Sequence, residues 1–214
     1  MRTRFDEQLT ELNKELIQMG ALCEEIIQVT STAILHSEQE PNEQVRRLGE
    51  EIDHMERNIE SMCLKLLLQQ QPVARDLRQI SAALKMITDM ERIGRQAVDI
   101  ADIIGFLEDT RDLECIEIGH MAKETIVMVT GSVDAYVKRD ADAARIVIEH
   151  DDIVDTLFDR TKNSLIQRVQ ECPEDSQSAL DLLMIAKYYE RIGDHAVNIA
   201  EWVLFSITGI HGKE

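Results

Sequence analysis

Two pairs of acidic residues stand four positions apart in stretches that have a helical hydrophobic period. Glu190 and Asp194 form one pair, and Asp151 and Asp155 form the other. Residues at i and i+4 share a helix face, so each pair presents two neighbouring carboxylates. Adjacent antiparallel helices would bring the pairs together as an all-oxygen cage for Mg²⁺, Ca²⁺, Mn²⁺ or iron. The alternative, which spacing alone favours, is a solvated acidic face balanced by arginines such as Arg191.

The segment around Glu190 has an earlier copy in the chain. Residues 190–201 read ERIGDHAVNIAE, and residues 91–102 read ERIGRQAVDIAD, at an offset of 99 residues. A weaker match at an offset of 102 pairs Ile52-Asp53 with Val154-Asp155. Self-similarity in the same order indicates a duplicated structural unit, so helices 1–3 are expected to repeat as helices 4–6.

The two copies differ at positions that a metal site would need. Glu91 keeps the first acid of the motif, but Arg95 stands where the second copy has Asp194. Gly49 stands where the second copy has Asp151. Glu91 therefore stays a candidate ligand, and we expect any metal to occupy the second repeat more readily than the first.

A glycine lies at the same position of each copy, inside a predicted helix. Gly94 and Gly193 each cost about 1 kcal/mol relative to alanine. Their recurrence predicts the close approach of a neighbouring helix or of a ligand.

The turn signals are sparse and predict long helices. Pro41, Pro72 and Pro173 are the only prolines, and Gly105 and the stretch 138–142 supply two further breaks. The resulting segments have approximate limits 3–38, 42–70, 73–104, 107–138, 141–171 and 176–208. Short connections make sequential helices antiparallel. The sequence thus predicts an all-α fold of two tandem three-helix bundles, with repeats at 1–105 and 106–214.

The composition restricts the partners. The chain has 214 residues and a formal net charge of −18, which disfavours nucleic acid and anionic lipid. No apolar run reaches the length of a membrane span, and residues 1–6 lack the apolar core of a signal peptide. We therefore expect a cytoplasmic protein without membrane insertion. Four cysteines without a C-x-x-C pair are expected to be reduced packing residues: Cys23, Cys63, Cys115 and Cys172.

The sequence contains none of the common catalytic motifs, including the nucleophile elbow, the P-loop and the dinucleotide-binding glycine pattern. The six histidines are scattered. His195 directly follows Asp194, so on a helix their side chains diverge by about 100°. We therefore predict that the protein is not an enzyme.

Two alternatives remain. A ferritin-like di-iron carboxylate enzyme needs two E-x-x-H motifs on inward faces, and Glu51/His54 and Glu117/His120 satisfy the spacing. These pairs lie at non-equivalent places in the repeat, and Gly119 interrupts the second. A purely structural helical interaction protein predicts continuous heptads, and it gives no reason for the repeated polar residues.

The motifs ERIGD at 190–194, ERIGR at 91–95 and QPVARDLR at 71–78 resemble those of the PhoU family of phosphate-transport regulators. The resemblance covers nearly the whole chain. It implies a homodimeric cytosolic adaptor that catalyses no reaction. Such a protein would link the ATPase subunit of the phosphate ABC transporter to the phosphate sensor histidine kinase. Its action would be negative regulation of phosphate uptake and of the phosphate-starvation regulon.

The same resemblance bears on metal binding. Some family members bind multinuclear metal clusters through an E(D)xxxD motif on each repeat, and Glu190 and Asp194 carry that motif here. Asp151 and Asp155 match aspartates of the fifth helix. Arg95 departs from the motif in the first repeat. The implied cofactors are Mg, Mn, Fe or Zn ions on acidic helix faces.

Overall fold

The computed structural model describes residues 2–36, 42–70, 73–107 and 115–210, and within these ranges it contains six long helices and no strand. The helices are α1 (Arg2–His36), α2 (Asn42–Gln70), α3 (Ala74–Ile104), α4 (Cys115–Lys138), α5 (Ala141–Glu171) and α6 (Ser176–Thr208). The predicted all-α fold is confirmed.

The predicted helix ends agree with the structure closely, with one exception. The prediction that the fourth helix starts at residue 107 is wrong, because the Leu107 N–H donates to the Ile104 carbonyl in the turn that closes α3. Pro173 opens a short 3₁₀ turn, Pro173–Asp175, directly before α6. Pro41 and Pro72, which the sequence places at helix starts, lie outside the described residues.

The turn between α4 and α5 shows how local chemistry ends one helix and starts the next. Arg139 has a positive φ of 54°. Its N–H donates to the Tyr136 carbonyl, and the Asp140 N–H donates to the Ala135 carbonyl at 2.9 Å. This pair of bonds is a Schellman motif. The Asp140 carboxylate then caps α5 by accepting from two backbone N–H groups of its first turn, at 3.0 Å each.

Within each repeat the helices pack as antiparallel neighbours, and the two equivalent glycines lie where they meet. A Cβ on Gly94 would lie 3.0 Å from Ile52 of α2. A Cβ on Gly193 would lie 3.5 Å from Val154, the equivalent residue of α5. The predicted close helix approach is confirmed, because a Cβ at either position would already be in contact with the neighbouring helix.

The two repeats face each other through α3 against α6 and α1 against α4. Their aliphatic side chains form one continuous buried cluster that runs through both halves. A buried hydrogen bond of 2.8 Å joins Thr30 of α1 to Tyr189 of α6 across the junction. The division of the chain at residue 105 stays a prediction.

Candidate functional site

The four acids predicted for the second repeat do come together. α5 presents Asp151 and Asp155 to Glu190 and Asp194 of α6. Asp151 and Glu190 are half-buried, while Asp155 and Asp194 are exposed. Gly193 permits this approach, because its missing Cβ would lie 3.2 Å from the Asp151 Oδ1. The acids therefore line one edge of the α5–α6 contact.

Burial and mutual repulsion make the three aspartates of this cluster harder to ionise. Burial, followed by the charges of Asp155, Asp194 and Glu190, raises the pKa of Asp151 to about 6. The pKa values of Asp155 and Asp194 are also raised, first by burial and then by Glu190. A proton or a cation bound here would relieve the repulsion.

A lysine supplies part of the compensating charge. The Lys187 Nζ donates to Glu190, one helical turn away, and lies 5.3 Å from the centroid of the Phe158 ring. Arg191, the cation expected on this face, instead lies 6.0 Å above the ring of Tyr188. The i,i+3 spacing of Lys187 and Glu190 was readable in the sequence and indicates such a pair.

The donor set fits a hard cation in its chemistry, since all four groups are carboxylates. Among the described residues, however, no group of three or more His, Cys, Asp or Glu side chains is placed to hold a metal ion. The structure therefore gathers the predicted residues without forming a closed coordination shell. The metal site stays a prediction.

The first repeat is organised differently at the equivalent place. Glu91 is buried and forms an ion pair with Arg95, four residues later. The pKa of Glu91 is raised above its ordinary value. Burial is the largest cause, the charge of Arg95 acts against it, and the charge of Asp53 adds to it. Val98 packs closely against Gly49, where a Cβ would lie only 2.9 Å from Val98 Cγ2. A guanidinium thus stands where the second repeat has the acid Asp194.

A cleft of about 350 Å³ opens beside this ion pair. Its walls come from α2 and α3: Arg46, Gly49, Glu50, Asp53, Arg95, Val98 and Asp99. Arg46 crosses the helix contact to bond Asp102 at 2.7 Å. Both charge signs line the cleft, which is a different environment from the carboxylate cluster of the second repeat.

A polar network between α3 and α6 was not predicted from the sequence. The His195 Nδ1 lies 2.8 Å from the Asp89 Oδ1, and the Asn198 amide donates to the same oxygen at 3.4 Å. The His195 Nε2 lies 3.1 Å from the Gln96 Nε2. Asp89 is buried, so these bonds satisfy an acid that has little access to water. Because Gln96 and His195 occupy equivalent positions in the repeat, the offset was the signal that could have revealed it.

The di-iron alternative does not assemble in the described part of the chain. α2 and α4, which carry the two E-x-x-H motifs, do not pack against each other there. His54 and His120 are both exposed, and Glu51 instead lies 3.8 Å from Arg47. A ferritin-type site needs these side chains on facing inner surfaces.

The cysteines confirm the expected packing role where they are described. Cys23 and Cys63 are buried free thiols, and burial raises the pKa of each to about 12. Cys172 is a half-buried free thiol, and the side chain of Cys115 lies outside the described part.

Comparison with known proteins identifies the lineage of this duplicated fold. The PhoU domain family matches residues 16–104 and, a second time, residues 118–203. This chain belongs to the PhoU family.

Curated relatives match this chain over most of their length. A Clostridium acetobutylicum protein named phosphate-specific transport system accessory protein PhoU homolog is 36% identical, over 97% of this chain and 96% of the relative. A Pseudomonas putida relative of the same name is 33% identical, over 96% of this chain and 81% of the relative. The crystal structure of PhoU from Pseudomonas aeruginosa superposes with a TM-score of 0.91 at 32% identity, covering 96% of this chain and all of that one.

A more distant structure shows the same fold. PhoU from Streptococcus pneumoniae, described as a phosphate transport system regulatory protein, has a TM-score of 0.90 at 23% identity. None of the helices in the described ranges combines the length and apolar character needed to cross a bilayer.

Proposed function

We propose that this PhoU-family protein is a non-enzymatic negative regulator of phosphate uptake and of the phosphate-starvation regulon. It acts in the cytoplasm as an adaptor between the ATPase subunit of the phosphate ABC transporter and the phosphate sensor histidine kinase. The observation that supports this most directly is the match of both halves to the PhoU domain. The full-length relatives named as accessory proteins of phosphate-specific transport point the same way.

The surface suits a protein that works by contact. Large apolar side chains are exposed on several helices, including Val127 of α4 and Ile146 and Ile153 of α5. Exposed apolar groups of this kind recur in protein interfaces. We propose that the protein is a homodimer and that its other contacts are made with the transporter and the kinase.

We further propose that Glu190, Asp194, Asp151 and Asp155 hold Mg, Mn, Fe or Zn. A bound cation would supply the positive charge that the repelling carboxylates lack, and it would compete with Lys187 for Glu190. Glu91 is the poorer candidate, because Arg95 already neutralises it.

The regulator proposal is tested by gene deletion. In phosphate-rich medium, loss of the gene should switch on phosphate-starvation genes, and a plasmid copy should silence them again. Unchanged expression in the deletion strain would contradict the proposal. Purification of the tagged protein from phosphate-fed cells should recover the transport ATPase and the sensor kinase.

The metal proposal is tested separately by elemental analysis of purified protein. Asp194→Ala should deplete bound metal, while Glu91→Ala should leave most of it. Depletion by the Glu91 change alone would reverse the proposed asymmetry. Returning the Asp194→Ala gene to the deletion strain then shows whether metal matters to gene silencing.

A further inference from the structure

Three arginines converge at one end of this strongly acidic molecule. Arg75 and Arg78 lie in the first two turns of α3, and Arg139 lies in the turn between α4 and α5. Burial and the charges of Arg75 and Arg78 lower the pKa of Arg139, while Tyr136 and Asp76 act in the opposite direction. Among the described residues, no carboxylate lies within 4.0 Å of any of the three guanidinium groups.

The cluster is held in place by the surrounding helices. Arg139 donates to the Gln79 Oε1 at 3.1 Å, and the neighbouring Tyr136 hydroxyl donates to the Gln79 carbonyl at 3.0 Å. The side chain of Arg78 packs against Gly209 at the end of α6, where the missing Cβ would lie 3.6 Å from Cδ. Three segments distant in sequence therefore meet at this corner.

Two further features distinguish these arginines. Arg139 occupies the left-handed position of a Schellman motif, where glycine is preferred and a side chain costs roughly 1 kcal/mol or more. The Arg78 Nε is buried and has no hydrogen-bond partner. Because none of the described carboxylates contacts the three guanidinium groups, their positive charge is left for an anion from outside the chain.

We propose that Arg75, Arg78 and Arg139 form a binding site for inorganic phosphate. Guanidinium groups match phosphate oxygens with paired, charge-assisted hydrogen bonds. A dianion would also offset the repulsion from Arg75 and Arg78, which together with burial lowers the pKa of Arg139. The turn before α6 carries Glu174 and Asp175 instead of arginines, so the start of α6 does not repeat this cluster.

The site is separate from the carboxylate cluster. It lies at the start of α3, whereas the cluster lies between α5 and α6. Phosphate binding in the presence of EDTA would therefore not depend on metal. The same chemistry could come from a phosphorylated side chain of another protein, so the test includes a phosphoserine arm.

The experiment measures thermal unfolding of the full chain with EDTA, in phosphate or in potassium chloride of the same ionic strength. A ligand at roughly ten times its dissociation constant raises the Tm of a protein this size by about 3 °C. We expect that rise in the wild type and its loss in Arg139→Gly and Arg75→Gln. Glycine suits the Arg139 backbone, and Arg75 is exposed, so both variants should keep the fold.

Arg57→Gln removes an exposed arginine from α2 and serves as the matched control, which should keep the full phosphate response. Asp194→Ala should keep it as well. A response to O-phosphoserine without one to phosphate would overturn the free anion as ligand. Equal Tm values in phosphate and chloride, or an unchanged phosphate response in both arginine variants, would overturn the site itself.

Discussion

Gln96 and His195 occupy equivalent positions in the two repeats, and their Nε2 atoms lie 3.1 Å apart. Two equivalent residues meet in this way when an approximate two-fold axis passes between them. Asp89 of α3 is hydrogen-bonded to Asn198 of α6. The equivalent of Asp89 in the second repeat is Tyr188, the equivalent of Asn198 in the first is Asp99, and these two residues are hydrogen-bonded as well. The duplicated halves therefore pack as a pseudosymmetric pair.

The stability of the α3–α6 contact around this axis should depend on His195. His195→Ala would leave the buried Asp89 with Asn198 at 3.4 Å and Arg92 at 4.0 Å as its polar neighbours. We expect a loss of about 2–3 kcal/mol in the free energy of unfolding. Gln96→Ala, which leaves the His195–Asp89 bond intact, should cost about 1 kcal/mol. Urea denaturation measures both losses. Equal losses of unfolding free energy in the two variants would show that the His195–Asp89 bond is not the main contribution of His195 to stability.

The buried Thr30–Tyr189 bond predicts an unequal pair of substitutions. Thr30 also donates to the Ile27 carbonyl, so the Tyr189 hydroxyl is the donor in their shared bond. Tyr189→Phe removes that bond at a cost of about 1 kcal/mol. Thr30→Val leaves the buried Tyr189 hydroxyl without its hydrogen-bond acceptor and should cost about 2–3 kcal/mol. Chemical denaturation measures the free energy of unfolding of both variants, with the double mutant as control. A larger loss in Tyr189→Phe than in Thr30→Val would contradict this prediction.

Asp151 predicts how the stability of the metal-free protein depends on pH. Its folded pKa of about 6 exceeds the ordinary value of 3.8, so the folded state binds the proton more tightly than the unfolded state. This contribution to stability is present below pH 3.8 and is lost as the pH rises through 6. In EDTA at pH 7.5, Asp151→Asn should therefore stabilise the protein, by about 1 kcal/mol after allowing for solvent screening.

Comparison of that variant with the wild type at pH 5 supplies the control. The stabilisation by Asp151→Asn should shrink there, because Asp151 of the wild type is then largely protonated. A difference in Tm that is constant between pH 5 and pH 7.5 would contradict the assigned role of burial and repulsion.

Gly193 and Gly94 form a matched pair for the metal proposal. An added methyl group on Gly193 would press on Asp151, whereas one on Gly94 would press only on Ile52. We expect Gly193→Ala to weaken metal binding about tenfold and Gly94→Ala to leave it unchanged. Titration with Mn²⁺ measures both affinities. Similar losses in the two variants would indicate a general effect of helix separation.

Overpacking and helix propensity act in opposite directions on the stability of these two variants. Alanine gains about 1 kcal/mol in a helix over glycine, and the crowding costs about 1–3 kcal/mol. Both variants should therefore fold, with a net loss of no more than about 2 kcal/mol. Circular dichroism during heating checks this before the metal titration is interpreted.

Much of the architecture could be read from local patterns. A helical period, sparse turn residues and an exact repeat of spacing are properties of short segments, so they predicted six helices and their duplication. The i,i+4 spacing alone placed Asp151 beside Asp155 and Glu190 beside Asp194. The equivalence of Gly94 and Gly193 predicted the close helix contacts for the same reason.

Only the tertiary structure decided what surrounds these residues. The burial that raises the pKa of Asp151 comes from packing between α5 and α6, and no local pattern reports burial depth. The Asp89–His195 bond and the arginine corner each join segments far apart in the chain. Such contacts depend on how the helices are arranged in space, which the periodicity of a single helix does not specify. The sequence alone determined which helices form and which carboxylates share a face, whereas the packing of the two halves decided where charges meet.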